Sequence, residues 1–126
     1  MKSIEIQMDE ILKTFDIELN ENVEKIARKV SRETANQLRS SSPKKPGGGE
    51  YAAGWTCRKD GGVLGAGYVV YNKSKPGLTH LLEHGHETRN QYGTYKRTPA
   101  KVHIKPAEEA AKAKFEKLMV DAINRG

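Results

Sequence analysis

The chain has 126 residues, 36% of them hydrophobic and 30% charged, with a formal net charge of +6. This length suits a single domain, residues 1–126, with a thin core, because a domain of this size buries only about two-thirds of its unfolded surface. No apolar run approaches the roughly 20 residues that span a bilayer. The early acids Glu5, Asp9 and Glu10 exclude a signal-peptide core, and the lone Cys57 excludes an intrachain disulfide or a cysteine zinc cluster.

These features fit a protein made and folded in a reducing cytoplasm. The charge is uneven. Residues 1–39 carry seven Lys/Arg against eight Asp/Glu, residues 40–107 eleven against four, and residues 108–126 four against four. The excess sits in residues 40–107. Lys44, Lys45, Arg58, Lys59, Lys73, Lys75, Arg89, Lys96 and Arg97 are its candidate contacts to DNA or to an acidic protein face. The segment lacks the interleaved aromatics of a single-strand binder and any helix-turn-helix or zinc-finger pattern.

Residues 3–39 read as helix. Ile4, Met8, Ile11, Leu12, Phe15, Leu19, Val23, Ile26, Ala27, Val30 and Leu38 recur in steps of three and four, on one stripe. Residues 16–22 are the weak point, where Asn20 or Asn22 can cap a second helix. Unbroken, the helix would run about 55 Å at ~1.5 Å per residue, longer than the domain is wide. It therefore projects, packs on another subunit, or folds back as two shorter helices. Residues 40–49, with Pro43, Pro46 and Gly47 to Gly49, read as a flexible basic loop.

Two β-like runs follow, Tyr51 to Lys59 and Val63 to Asn72, with Asp60-Gly61-Gly62 between them as an antiparallel hairpin turn. Gly65 and Gly67 mark a bulge or a close approach. They are no nucleotide fingerprint, since they lead into a strand rather than a helix. Leu78 to His84 reads as a short helix closed by Gly85. His86 to Ala100 reads as a polar loop and Lys101 to Lys105 as a short strand. Pro106, with Glu108 and Glu109 behind it, opens a last helix that runs to about Asn124. Its inward residues are Ala111, Phe115, Leu118, Met119 and Ala122. The fold class is α+β: helices at both ends, a short middle helix, and a small antiparallel sheet.

The stretch that looks most like a catalytic site is His80-Leu81-Leu82-Glu83-His84-Gly85-His86. His80-x-x-Glu83-His84 matches the inverted zinc-protease pattern. One helical turn separates the two histidines, so they can chelate a metal with Glu83 as general base. His80, His84 and His86 are the metal candidates, and no spacing selects a further ligand among His103, Glu108 and Glu109. The alternative is a short amphipathic helix, with Leu81 and Leu82 packed inward and Glu83 bonded to nearby backbone donors. That alternative has no metal, cofactor or catalytic residue. No nucleophile constellation stands out.

The order of features resembles the tail-component family of long-tailed bacteriophages, the neck or tail-completion proteins. Two segments carry the resemblance: His80-Leu81-Leu82-Glu83-His84-Gly85, and His103-Ile104-Lys105-Pro106-Ala107 at a helix start. Lys105 replaces the arginine common in the family, and Gly48-Gly49-Glu50-Tyr51 lacks the usual threonine. The resemblance implies a structural, non-enzymatic virion protein acting at tail completion or head–tail joining. It implies synthesis in the host cytoplasm, residence in the tail or neck, neighbouring head–tail and tail proteins, a homo-oligomer such as a ring, and DNA as passing cargo. His80, Leu81, Leu82, Glu83, Gly85, His103, Pro106 and Ala107 would then be fold devices. The rival readings are a small basic nucleic-acid-binding protein and a zinc hydrolase built on the His80–His84 stretch.

Overall fold

The computed structural model describes residues 3–13, 21–44, 49–60, 67–89, 93 and 95–125, with Glu21, Asp60, 86–89, 95–98 and 122–125 described by backbone alone. The elements are β1 (Ile6–Gln7), α1 (Met8–Lys13), α2 (Glu21–Ser41), α3 (Glu50–Ala53), β2 (Trp55–Asp60), β3 (Gly67–Asn72), α4 (Leu78–His84), β4 (His86–Arg89), β5 (Tyr95–Thr98) and α5 (Ile104–Arg125). The fold is α+β. An antiparallel sheet of order β1-β3-β2 sits beside a separate two-stranded ribbon, β4-β5.

Helix α2 packs on β2 and β3 as well as on α5. Its buried positions are Val23, Ala27, Val30, Ser31, Thr34, Ala35 and Leu38, a broad stripe repeating every three to four residues. That breadth lets one helix serve two neighbours. Helix α5 answers with Ala107, Ala111, Phe115 and Met119, and the sheet with Trp55, Tyr68 and Val70. Side-chain links at the margins also hold the sheet to α2, among them the Arg39 Nε donating to the Trp55 carbonyl at 2.8 Å. The Arg28 Nε donates to the Tyr68 hydroxyl at 3.0 Å, and Lys59 meets Glu24 at 2.7 Å.

The long helix expected from residue 3 differs at its start. Ile6 and Gln7 form a strand paired with Val70 and Val69. Ile4-Glu5-Ile6-Gln7-Met8 alternates apolar and polar, and Ile6 and Met8 are buried while Glu5 and Gln7 are exposed. The same residues fit a helical stripe only if the alternation is overlooked. The expected weak point at 16–22, with Phe15, Leu19 and Asn20, lies mostly outside the described residues. Helix α2 begins at Glu21, with Asn22 inside it.

The hairpin β2–β3 is antiparallel as expected, but Asp60 pairs with Gly67, so residues 61–66 form its connection. The Asp60-Gly61-Gly62 turn and Gly65 lie partly or wholly outside the described residues. Tyr51 belongs to a helical turn rather than to the strand, entered through Gly49 at φ 97°. Part of the loop expected at 40–49 is anchored: Ser42 is buried and its Oγ accepts the Trp55 Nε1 at 2.9 Å. Residues 45–48 lie outside the described ones.

His86 to Ala100 is not a loop throughout. His86 pairs with Thr98, Glu87 with Arg97, Thr88 with Lys96 and Arg89 with Tyr95. Both strands are polar at almost every position, so no apolar alternation announced them. The strand expected at Lys101 to Lys105 is absent. The Lys101 N–H goes to the Leu82 carbonyl at 2.7 Å, and α5 begins at Ile104, two residues before Pro106.

Asn72 joins α3 to the chain after β3. Its Nδ2 donates to the Tyr51 carbonyl at 2.6 Å, and its Oδ1 accepts from the Ser74 and Lys75 N–H groups at 3.2 and 2.8 Å. Gly54 leaves room for this arrangement. A Cβ there would lie 2.6 Å from the Asn72 Oδ1 and 2.8 Å from Ser74, whereas one at Gly77 would meet nothing within 4 Å. Urea denaturation should therefore show Gly54→Ala destabilised by about 1–3 kcal/mol, as overpacking does. Gly77→Ala should stay within about 0.5 kcal/mol of wild type. Equal midpoints for the two variants would contradict this account.

Candidate functional site

The two segments singled out in the sequence meet in space at the junction of α4 and α5. An α-helix begins with N–H groups that have no intrahelical acceptor. Here the Glu83 Oε1 accepts the His103 and Ile104 N–H groups, both at 2.8 Å, and Oε2 accepts the Lys105 N–H at 2.9 Å. Pro106, next in line, has no N–H to satisfy. A carboxylate 20 residues upstream thus does the work of a local capping side chain, and its charge suits the positive end of the helix dipole.

Helix α4 can deliver that carboxylate because its own ends are fixed. The Thr79 hydroxyl donates to the Pro76 carbonyl at 2.8 Å and accepts the Ile4 N–H at 2.8 Å, tying α4 to the chain leading into β1. Gly85, at φ 76° and ψ 172°, turns the chain out of the helix in a conformation that side-chain-bearing residues rarely adopt. Leu82 is buried and Leu81 half-buried.

His103 extends the junction inward. Its Nδ1 lies 2.6 Å from the Lys101 carbonyl and 3.1 Å from the Glu83 Oε1. Both neighbours only accept, so Nδ1 carries a proton. In the neutral ring Nε2 then accepts from the Tyr51 hydroxyl, 2.6 Å away. Tyr51, Trp55 and His103 pack edge to face, with ring centroids 5.5 to 6.4 Å apart.

Hydroxyl, imidazole and carboxylate follow one another in the order of a catalytic relay. Tyr51, His103 and Glu83 are, however, only 1, 3 and 6% exposed. Burial first, and the Glu83 charge second, push the Tyr51 hydroxyl well above its usual pKa, so it stays a phenol. For Glu83, burial is the largest influence and acts upward. The three backbone N–H bonds and the His103 imidazole together outweigh it and hold the carboxyl below its usual value.

His80 and His84 lie on the exposed side of α4, with ring centroids 4.9 Å apart. Glu83 points the other way, into the fold, with both oxygens occupied. The histidine pair and the proposed base therefore do not converge. His84 borders an open groove that also includes Glu108, Glu109 and Lys112. His103 is sequestered with Tyr51, and the His86 side chain lies outside the described ones. Among the described residues, no three His, Cys, Asp or Glu side chains are placed to share a metal ion.

The basic residues do not form one surface. Lys59 pairs with Glu24, and Lys75 with Glu50 at 3.6 Å. Arg58 stacks over the Tyr71 ring at 4.4 Å. Lys59 lies opposite Tyr68, whereas Lys73 follows Asn72, opposite Trp55 at the other end of the hairpin. Lys44 is exposed and donates to the Arg39 carbonyl at 3.3 Å, and Lys45 lies outside the described residues. Arg89, Lys96 and Arg97 share the β4–β5 ribbon.

The Tyr51–His103 contact and the Gly54–Asn72 contact have no sequence signal of their own, since both join residues far apart in the chain. Compared with known proteins, the chain matches no family model, no curated protein and no solved structure. Among the described residues, no helix is long and apolar enough to cross a membrane.

Replacing Glu83 with Gln removes the charge and turns an N–H donor toward backbone N–H groups. Glu83→Gln should cost about 2–3 kcal/mol, the scale of a hydrogen bond to a charged group. The native Glu83 pKa lies below its ordinary value of about 4.5, so the unfolded chain binds the proton more tightly. Its contribution is complete above that ordinary value and is lost as pH falls through the lowered native one. Thermal melts from pH 7 to 2.5 should show a shallower acid loss in Glu83→Gln than in wild type. Parallel pH profiles would remove Glu83 from this role.

Proposed function

We propose that this chain is a structural, non-enzymatic assembly protein of a phage or prophage virion, acting at tail completion or head–tail joining. The reading starts from the likeness of His80 to Gly85 and His103 to Ala107 to the tail-component family. What supports it is that Glu83 joins these two segments through the His103, Ile104 and Lys105 N–H groups. Glu83, which could have served a hydrolase as its general base, is thereby engaged in holding two helices together. In this reading the partners are other head–tail and tail proteins and further copies of the chain. A homo-oligomer, such as a ring in the tail or neck, would complete a small domain whose own core is thin. The zinc-hydrolase reading would require Glu83 to abandon three backbone donors, and burial makes each such loss costly.

Disrupting the gene in the phage or lysogen that carries it should leave heads and tails unjoined in negative-stain micrographs, with the defect restored by the wild-type gene. Intact virions at normal yield would overturn the proposal. In native mass spectrometry of zinc-replete protein, a closed multimer without metal is the expected species. A monomer holding one zinc that is lost in His84→Ala would favour the hydrolase instead.

A further inference from the structure

The ribbon β4–β5 stands apart from the rest of the fold. Among the described residues it pairs with itself, and any contact with a helix or with the other sheet is slight. Its base is tied down on both sides. The Lys101 N–H meets the Leu82 carbonyl, and Glu83 holds the chain at His103 to Lys105. A two-stranded ribbon without further packing is marginally stable in water. Here it is nevertheless carried on a firm mount.

The ribbon's composition points to the kind of partner that would support it. Between Gly85 and Lys101 there is no Val, Ile, Leu, Met, Phe or Trp. A protein–protein interface draws its energy from a core of buried apolar and aromatic anchors, and this segment offers only Tyr92 and Tyr95. It carries Arg89, Lys96 and Arg97, with Lys101 at its foot, against the single acid Glu87. The register places Arg89, opposite Tyr95, and Arg97, opposite Glu87, at positions on one face of the ribbon, and Lys96, opposite Thr88, on the other. The cations near β2 and β3 are paired or divided between the two ends of that hairpin.

We propose that the β4–β5 ribbon is a contact arm for double-stranded DNA, engaging backbone phosphates through Arg89, Lys96 and Arg97. The major groove of duplex DNA admits a two-stranded ribbon, and phosphate contacts need no apolar anchor. The assignment stands on the ribbon itself and does not require the assembly role proposed above. Loss of either leaves the other in place.

The test is fluorescence anisotropy with a labelled 20-base-pair duplex, using the full chain. Two triple variants remove equal charge: Arg89→Gln with Lys96→Gln and Arg97→Gln on the ribbon, and Lys29→Gln with Lys112→Gln and Lys117→Gln on exposed positions of α2 and α5. At about 50 mM salt, the ribbon variant should bind at least ~10-fold more weakly than wild type and should lower the slope of log K against log salt by about 2–3. The control variant should stay within about threefold. Both should keep the wild-type melting temperature, since all six replaced residues lie outside the buried hydrophobic core. No binding by wild type, equal losses in the two variants, or an unchanged affinity in the ribbon variant would each overturn the proposal. Displacement of the duplex by polyglutamate as readily as by unlabelled duplex would also overturn it, in favour of an acidic protein partner.

Discussion

Three backbone N–H groups at the start of α5 would lack partners if α4 did not supply a carboxylate. Each buried, unpaired donor costs on the order of 1–3 kcal/mol, a large share of the stability of a small domain. Glu83 meets all three, and Pro106 removes the next donor. Much of the remaining architecture follows from this contact. It sets the distance between α4 and α5, brings His103 beneath Trp55 and Tyr51, and closes the base of the intervening ribbon.

The second constraint is that a thin core must serve several neighbours. Helix α2 meets it by burying a broad stripe in which small side chains, Ala27, Ser31, Thr34 and Ala35, allow close approach on both sides. The larger side chains come from its partners: Trp55 from the sheet, Phe115 from α5 and Tyr51 from α3. Aromatic volume near His103 completes the core where the aliphatic side chains run out. The polar atoms this brings inside are matched one to one, the Trp55 Nε1 with Ser42 and the Tyr51 hydroxyl with His103. Such matching makes burial of polar groups tolerable.

A single carboxylate can read in sequence as a general base and in structure as a helix cap. The difference lies in where its lone pairs go. In His80-x-x-Glu83-His84 the histidines face outward and the acid inward, so the pattern of letters is kept while the geometry of a metal site is not. The ribbon shows the converse. Its residues looked like an unstructured polar loop, and pairing with one another gave them a shape.

The sequence by itself determined the α+β class, the amphipathic course of α2, the limits of α4 at Leu78 and Gly85, and the inward face of α5 through Ala111, Phe115 and Met119. These are local matters, fixed by periodicity, turn chemistry and the special backbone of glycine. It also held the alternation of Ile4 to Met8, which a helical stripe masked because both periods fit so short a run. Only the tertiary structure decided that Glu83 caps a helix 20 residues later, that Tyr51 meets His103 across 52 residues, and that Gly54 makes room for Asn72. Those contacts depend on which surfaces the packed helices and sheet bring together. No spacing along the chain encodes that choice, because the energy gained comes from burying groups that are strangers in sequence.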